Sequence, residues 1–290
     1  ADTLRSMYAT SIADFNETSS HLLTDAGIPT FLYGIRGKAF TVYNLIPTIT
    51  SVLGVSALPV LASSWMLKDK KKIKRNIDSM IKMTALIAMP AGAGFVALGG
   101  QIMGLLYKSV ASVEIGGSMM QVFGFAAIFA GLSIPMTSML QAIGKQIVPV
   151  KNIAVGAVIK IVVNYVLVGV PTINIKGAPI GTLACYLYIF IANLWALIKY
   201  TGVVPNILNV FIKPAAAAFL CGLTAFGISL AGNSKMITVA AILAAALVYL
   251  IALVALNAFE EEDFLSLPKG EKLAALCKKY ACDPRELAPH

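Results

Sequence analysis

The segment LYGIRGKAFTVYNLIPTITSVLGVSALPVLASS, residues 32–64, decides the fold class. It carries no charge from Ala39 onward, and it is longer than the ~20 residues that a helix needs to cross the hydrocarbon of a bilayer. Such a run predicts a membrane helix. Arg36 and Lys38 stand near its start, and cations inside an apolar run require an explanation.

The whole chain shares this apolar character. Of its 290 residues 58% are hydrophobic and 13% charged, and the mean hydropathy is +0.80. Soluble domains are about half apolar and about a quarter charged, and a soluble fold of this composition would expose large apolar patches. The composition therefore predicts an all-α integral membrane protein. The net charge of +9 lies mostly in loops without interleaved aromatic residues, so nucleic acid is not an expected partner.

Seven apolar runs predict seven transmembrane helices within a membrane domain at 29–258. Their approximate ranges are 31–64, 77–106, 115–143, 148–170, 178–198, 210–231 and 236–257. Residues 1–28 are expected to hold the end of a truncated span and an extracellular loop. The chain begins without Met or a signal-peptide layout and looks like a fragment. In the polar tail at 259–290, the segment 267–280 predicts a short helix, either at the membrane surface or solvated.

The loops predict the orientation of the chain. The segment KDKKKIKR at 68–75 follows the first span, and lysine-rich loops stay in the cytoplasm. Alternation of the spans then places Lys145, Lys151 and Lys199 on the cytoplasmic side as well. The C-terminal tail is also predicted to be cytoplasmic, and the membrane to be the bacterial cytoplasmic membrane.

Proline and glycine inside the spans predict bends and close packing. Membrane helices tolerate both residues where neighbouring helices satisfy the backbone. Small residues such as Gly92 and Gly94 allow two helices to approach closely. Four prolines are candidate kink positions: Pro47, Pro59, Pro90 and Pro135.

The sequence does not predict an enzyme. Its two histidines, His21 and His290, lie outside the spans, so no Ser-His-Asp or Cys-His arrangement is available within the membrane. It contains no phosphate-binding loop of the G-x-x-x-x-G-K-[ST] type, and its four cysteines lack C-x-x-C spacing. We therefore expect no catalytic residue, no metal site and no cofactor.

Ionisable residues inside the spans are the remaining functional signal, because charges in the bilayer are costly and usually face a cavity. Lys160 lies near the middle of the fourth span, with Asn164 one turn later. The alternative for each cation is that its long side chain reaches back to the membrane surface. A further group of predicted substrate-binding residues lies in the first span: Arg36, Lys38 and Asn44.

Arg36 and Lys38 are about 200° apart on a regular helix, so at most one faces a given cavity unless Gly34 and Gly37 distort the helix. We favour Arg36. The spans contain cations but no central carboxylate, a pattern that favours an anionic ligand. Arginine binds phosphate through a planar fork and lysine as a point charge, so a pyrophosphate-linked lipid is the hypothesis.

Three segments resemble a known family: residues 32–64 quoted above, IPMTSMLQAIGKQIVPVKNIAVGAVIKIVVNYVLVGVPTINIKGAPIGT at 134–182, and LPKGEKL at 267–273. They are similar to polysaccharide exporters of the MOP superfamily, in particular to the stage V sporulation protein B group, which is related to the lipid II flippase MurJ. The resemblance implies that the seven spans form the C-terminal lobe of a MATE/MurJ-like transporter fold, with an N-terminal lobe missing.

The resemblance also implies a function. It favours a flippase or exporter that moves a lipid-linked polysaccharide or peptidoglycan precursor by alternating access, with an anionic glycan lipid of the undecaprenyl-pyrophosphate type as the partner. Lys160 and Asn164 match the family's "K…N" segment, and Arg36 is the candidate cavity arginine. Two alternatives remain open: a cation-coupled multidrug exporter of the MATE branch, and a non-transporting scaffold for cell-wall enzymes.

Overall fold

All regular secondary structure in the described part of the chain is helical. The computed structural model describes residues 6–18, 24–107, 109–170, 172–232 and 234–256. The predicted tail helix, His21, His290, Lys108, Cys277 and Cys282 lie outside these ranges. Within them, seven helical segments are long and apolar enough to cross a membrane, so the predicted all-α, multi-pass membrane fold is confirmed.

A short helix, α1, precedes the spans at Ala9–Thr18. The helices of the spans are α2 (Ile28–Tyr43), α3 (Leu45–Met66), α4 (Lys70–Leu106), α5 (Gly117–Ala142), α6 (Ile147–Gly169), α7 (Ala178–Thr201), α8 (Lys213–Ser229) and α9 (Lys235–Ala255). The first span consists of α2 and α3, and short π-helical turns at Ser112–Gly116 and Leu208–Ile212 lead into the third and sixth spans.

The lysine-rich segment at 68–75 is largely helical, although the sequence predicts a loop there. Asp69 caps α4, because its carboxylate accepts hydrogen bonds from the backbone N–H groups of Lys71 and Lys72, both at 3.1 Å. The loop between α7 and α8 lies at the same end, where the N–H of Asn206 donates to Asp78 Oδ1 at 3.1 Å. We call this end of the bundle the basic end.

The prolines act on the helices in different ways. The first span is interrupted at Asn44, between α2 and α3. Pro47 has no N–H to bond the carbonyl of Tyr43, four residues earlier, where α2 ends. In contrast, α3, α4 and α5 continue through their prolines. The backbone of α4 departs from helical geometry at Leu98 (φ −113°, ψ 17°) rather than at Pro90.

Helix α5 is the centre of the bundle and packs against α3, α4 and α7. Its contact with α4 is very close, because a Cβ added at Gly124 would lie 2.6 Å from the carbonyl oxygen of Gly92. A Cβ added at Gly117 would lie 2.6 Å from Gly100 Cα. The predicted packing role is therefore confirmed for Gly92 but is wrong for Gly94, where an added Cβ would meet nothing within 4 Å.

The remaining helices lie around this centre. Helices α8 and α9 pack against each other and against α4, and the buried hydroxyl of Tyr249 on α9 donates to the carbonyl oxygen of Leu86 at 2.8 Å. Helix α6 packs chiefly against α7. Only Pro149 and Gly156 of α6 are buried, so most of this helix is exposed in the described structure.

Candidate functional site

Arg36 lies on α2 beside two aromatic rings. Its side chain is half-buried, and its Cζ atom is 5.3 Å from the ring centroid of Tyr33 and 5.5 Å from that of Phe40. The three residues lie three and four positions apart, so they share one face of the helix. Each ring attracts the guanidinium through a cation–π interaction.

Lys160 reaches the same phenyl ring from another helix. It is half-buried on α6, and its Nζ atom is 5.8 Å from the ring centroid of Phe40. Arg36 lies within electrostatic range of Lys160, so the two cations repel each other. Among the described residues neither cation makes an ion pair. The two cations that the sequence singled out in different spans are therefore brought together, with their charges uncompensated by this part of the chain.

An aromatic cluster underlies these cations, and sequence reasoning missed it. Phe40 stacks on Tyr43 with a centroid distance of 5.2 Å, and Tyr43 lies 5.1 Å from Phe123 and 6.5 Å from Tyr186. Tyr43 and Phe123 are fully buried. The spacing of Arg36, Phe40 and Tyr43 at i, i+4 and i+7 was the available signal, because those positions form one helical stripe.

Asn164 faces α7 rather than the cations. Its Oδ1 atom contacts the position that a Cβ of Gly181 would occupy. That oxygen is buried, and it has no hydrogen-bond partner among the described residues. The absence of a side chain at Gly181 leaves the space for this amide, so Asn164 contributes to the contact between α6 and α7.

The other two predicted residues of the first span are not brought to the Phe40 ring. Lys38 points to the side of the π-helical turn, where its Nζ donates to Ser112 Oγ at 3.2 Å and lies 5.2 Å from the ring centroid of Tyr107. Helix α2 is continuous through both of its glycines, so Arg36 and Lys38 remain on different sides. Asn44 occupies the break after α2, two turns or about 12 Å along the axis from Arg36.

A buried cation at the basic end was also missed. Lys82 on α4 is 3% exposed, and no other charged side chain in the described ranges is buried. It lies only five residues inside the predicted start of the second span. Its burial follows from the tertiary packing of α4, which no local pattern reports.

A large apolar groove lies on a different face of the bundle. Its volume is about 1030 Å³, and it is bounded by α4, α5, α7 and α8. Phe123 of α5 packs against Phe40, the ring beside the cations, whereas Gln121 and Phe125 of the same helix line the groove. The cation pair and the groove are therefore separate features, one suited to an anion and the other to hydrocarbon.

The comparison with protein families identifies the chain. The sequence model of the family described as "Lipid II flippase MurJ" matches residues 40–259, which is most of the chain. The chain belongs to this family of membrane proteins. The matched region includes Lys160 and Asn164 but begins after Arg36 and Lys38.

Three individual relatives share about a quarter of their residues with the aligned part of this chain. The "Uncharacterized membrane protein YabM" of Bacillus subtilis (strain 168) is 24% identical over 257 residues, covering 86% of this chain and 47% of the relative. "Lipid II flippase MurJ" of the same bacterium is 25% identical over 147 residues, covering 50% of this chain and 27% of the relative. The "Probable flippase AglR" of Haloferax volcanii is 24% identical over 159 residues, covering 54% and 32%. The chain thus spans about half the length of these curated relatives, or less.

A solved structure has the same fold. The structure titled "Lipid II flippase MurJ, inward closed conformation" superimposes with a TM-score of 0.61 at 16% identity. The match covers 78% of this chain and 46% of that one. At this identity the likeness establishes the fold, a MurJ-like all-α membrane fold, and does not assign residue roles.

Proposed function

We propose that this chain is the C-terminal lobe of a flippase that moves an anionic lipid-linked glycan precursor across a bacterial cytoplasmic membrane. The observation that carries the proposal is the pair of half-buried cations, Arg36 and Lys160, on one phenyl ring without an ion-pair partner in the described chain. Membership of the MurJ family supports transport rather than catalysis.

The chemistry of the pair suits a pyrophosphate. Two cations at one site repel each other, and a dianionic group between them converts that repulsion into attraction. Arg36 provides a planar fork that bonds two phosphate oxygens at once, and Lys160 provides a compact charge. Phe40 attracts the Arg36 guanidinium and the Lys160 ammonium without neutralising them, so both positive charges can interact with the ligand.

The groove supplies a candidate location for the hydrocarbon part of such a substrate. Its lining is apolar apart from Gln121, and a volume of about 1030 Å³ is large enough for a substantial length of isoprenoid chain. The groove and the cations lie on different sides of α5. A lipid with its pyrophosphate at the cations would therefore have to extend its isoprenoid chain around the bundle to reach the groove, and the flexibility of the isoprenoid allows this.

A complete transporter needs a second lobe in this proposal. The chain corresponds to about half of the MurJ-family protein whose structure it matches. We infer that Arg36 and Lys160 face a partner lobe across a central cavity, and that alternating access exposes the cavity to each side in turn. The basic end, with its lysine-rich start of α4, is proposed to be cytoplasmic.

The test uses the protein with both lobes, reconstituted in liposomes with a fluorescent undecaprenyl-pyrophosphate glycan. The fraction of the lipid in the outer leaflet is read by chemical quenching. We expect Arg36→Ala and Lys160→Ala each to reduce translocation about tenfold or more, the scale of one lost charge-assisted contact.

Lys151→Ala is the matched control, because it removes an exposed cation about two and a half turns from Lys160 on the same helix. It is expected to leave translocation unchanged. If both Ala variants translocate at the wild-type rate, the cation pair is not the substrate site. If the wild-type protein moves no pyrophosphate lipid but exports organic cations, a MATE-type function replaces the proposed one.

A further inference from the structure

Helices α6 and α7 meet in one antiparallel register, which three contacts define. Asn152 bonds to Asn193, Gly156 packs against Ile189, and Asn164 contacts Gly181. The sum of the two residue numbers is the same in each pair, so this register sets Lys160 of α6 opposite Cys185 of α7. The carbonyl oxygen of Lys160 lies 3.3 Å from the position that a Cβ of Gly181 would occupy. Lys160 is therefore one step in a regular ladder between two helices.

A polar network fixes the end of this ladder near the basic end. Asn152 Nδ2 donates to Asn193 Oδ1 at 2.9 Å, and Asn193 Nδ2 donates to Thr137 Oγ1 on α5 at 3.0 Å. The hydroxyl of Thr137 in turn donates to the carbonyl oxygen of Ser133 at 3.0 Å. Donors and acceptors match along this series of hydrogen bonds. The series joins three spans through the side chain of Asn193, which is 0% exposed.

Two glycines and a buried amide make this contact specific to one register. A Cβ added at Gly156 would lie 2.8 Å from Ile189, and the space at Gly181 is occupied by Asn164. Sliding α6 by one turn would bring other side chains into these close contacts, and it would separate Asn152 from Asn193. A buried amide would then lose its partner in an environment that offers no water. A single buried polar contact that specifies the register of two helices is a recognised use of such groups.

We infer that Asn193, together with Asn152 and Thr137, sets the depth of Lys160 in the membrane. The network holds α6 in the register that places the Lys160 ammonium at the Phe40 ring beside Arg36. Asn193 is thus a positioning residue that acts through Lys160 without contacting the ligand. This inference rests on the proposed function only for the role of Lys160, and the register itself is tested separately.

The experiment measures the register by disulfide trapping in membranes that contain the complete protein, with Cys221, Cys277 and Cys282 replaced by Ala. Native Cys185 reports on a cysteine introduced opposite it, either by Lys160→Cys or by Asn164→Cys. In the native register position 160 lies opposite Cys185 and position 164 lies opposite Gly181, so the 160–185 disulfide is expected to form in higher yield than the 164–185 disulfide. Adding Asn193→Leu, which keeps the number and branching of the side-chain heavy atoms but removes both hydrogen bonds, is expected to lower the 160–185 yield about fivefold and raise the 164–185 yield.

The matched control is Asn76→Leu, which removes another interhelical amide, bonded to Ser64 Oγ at 2.8 Å between α4 and α3. It is expected to leave both disulfide yields unchanged. In the reconstituted transporter with Lys160 intact, Asn193→Leu is expected to reduce translocation without changing the charge of the site.

The outcomes separate the two proposals. Unchanged disulfide yields in the Asn193→Leu protein would overturn the positioning role, even if translocation falls. An equal loss of both disulfides would also overturn it, because that result indicates general unfolding. A shift of the disulfide from 160 to 164 in a protein whose wild type moves no pyrophosphate lipid would support the register inference and refute the proposed function.

Discussion

Arg36 and Lys160 approach the same ring: the Cζ atom of Arg36 lies 5.5 Å and the Nζ atom of Lys160 lies 5.8 Å from the ring centroid of Phe40. The two residues come from different spans, α2 and α6. Phe40 attracts both cations while they repel each other. Binding of an anion would relieve the repulsion between the two cations, so this arrangement favours an anionic ligand.

Replacing Phe40 tests whether the ring organises the cations. Each cation–π contact contributes about 0.5–2 kcal/mol, so Phe40→Leu is expected to raise the pyrophosphate-lipid concentration for half-maximal translocation about fivefold. Phe40→Trp keeps an aromatic face and is expected to retain the wild-type value. The measurement is the concentration dependence of lipid translocation in liposomes. Equal values for the Leu variant and the wild type would show that the ring is a packing residue only.

Filling the groove tests whether it holds hydrocarbon during transport. Ala93→Trp places an indole in the lining of the groove, and it is expected to slow translocation of a long isoprenoid substrate more than that of a short-chain analogue. Val158→Trp is the control, because Val158 is 59% exposed on α6, away from the groove. The ratio of the two translocation rates is measured for each variant. A ratio that Ala93→Trp leaves unchanged would exclude the groove from the lipid path.

The contact between α4 and α5 predicts that alanine substitutions at two glycines, Gly124 and Gly94, have different effects on stability. A Cβ at Gly124 would lie 2.6 Å from Gly92 O, so Gly124→Ala is expected to destabilise the protein by about 1–3 kcal/mol. An added Cβ at Gly94 meets nothing, so Gly94→Ala is expected to be neutral or slightly stabilising, since Ala is the better helix former. Thermal unfolding in detergent checks both. Similar unfolding temperatures for the two variants would contradict the packing described here.

Removing the hydrogen bond between α9 and α4 is expected to lower stability without altering the cation site. The hydroxyl of Tyr249 donates to Leu86 O at 2.8 Å, so Tyr249→Phe is expected to cost about 0.5–1.5 kcal/mol. Tyr165→Phe removes a hydroxyl from a side chain that is 85% exposed, and it is expected to cost nothing measurable. Both variants are compared by thermal unfolding. A Tyr249→Phe protein as stable as the wild type would show that the bond contributes no net stability.

Much of the fold was predictable, because lipid imposes a strong constraint on sequence. A span needs a long apolar run, and such runs are visible without knowledge of the partners. The lysine-rich segment before Asn76 was misjudged, since Asp69 caps a helix that extends beyond the apolar run. The departure from helical geometry at Leu98 was likewise hidden, because the proline of α4 lies eight residues earlier.

The candidate site was only partly predictable for the same reason. A charge inside an apolar run identified Arg36 and Lys160 individually, but their convergence depends on how α2 and α6 pack against the centre of the bundle. Asn152 and Asn193 were passed over, since a polar residue in a span has many possible roles until its partner is known. The burial of Lys82 could not be read from its position at the margin of a span.

Lys38 provides the sharpest test of which cation serves the substrate. It lies two residues from Arg36, yet its ammonium donates to Ser112 Oγ and lies over Tyr107, on the side of the π-helical turn. Lys38→Met keeps the length of the side chain and is expected to leave translocation within about twofold of the wild type, while it lowers stability by about 0.5–1 kcal/mol through the lost contacts. Arg36→Met is expected to abolish most translocation at similar stability. Translocation and thermal unfolding are measured on the same preparations. If Lys38→Met stops translocation as completely as Arg36→Met does, then the substrate path includes the π-helical turn, and the Phe40 ring is not the centre of the site.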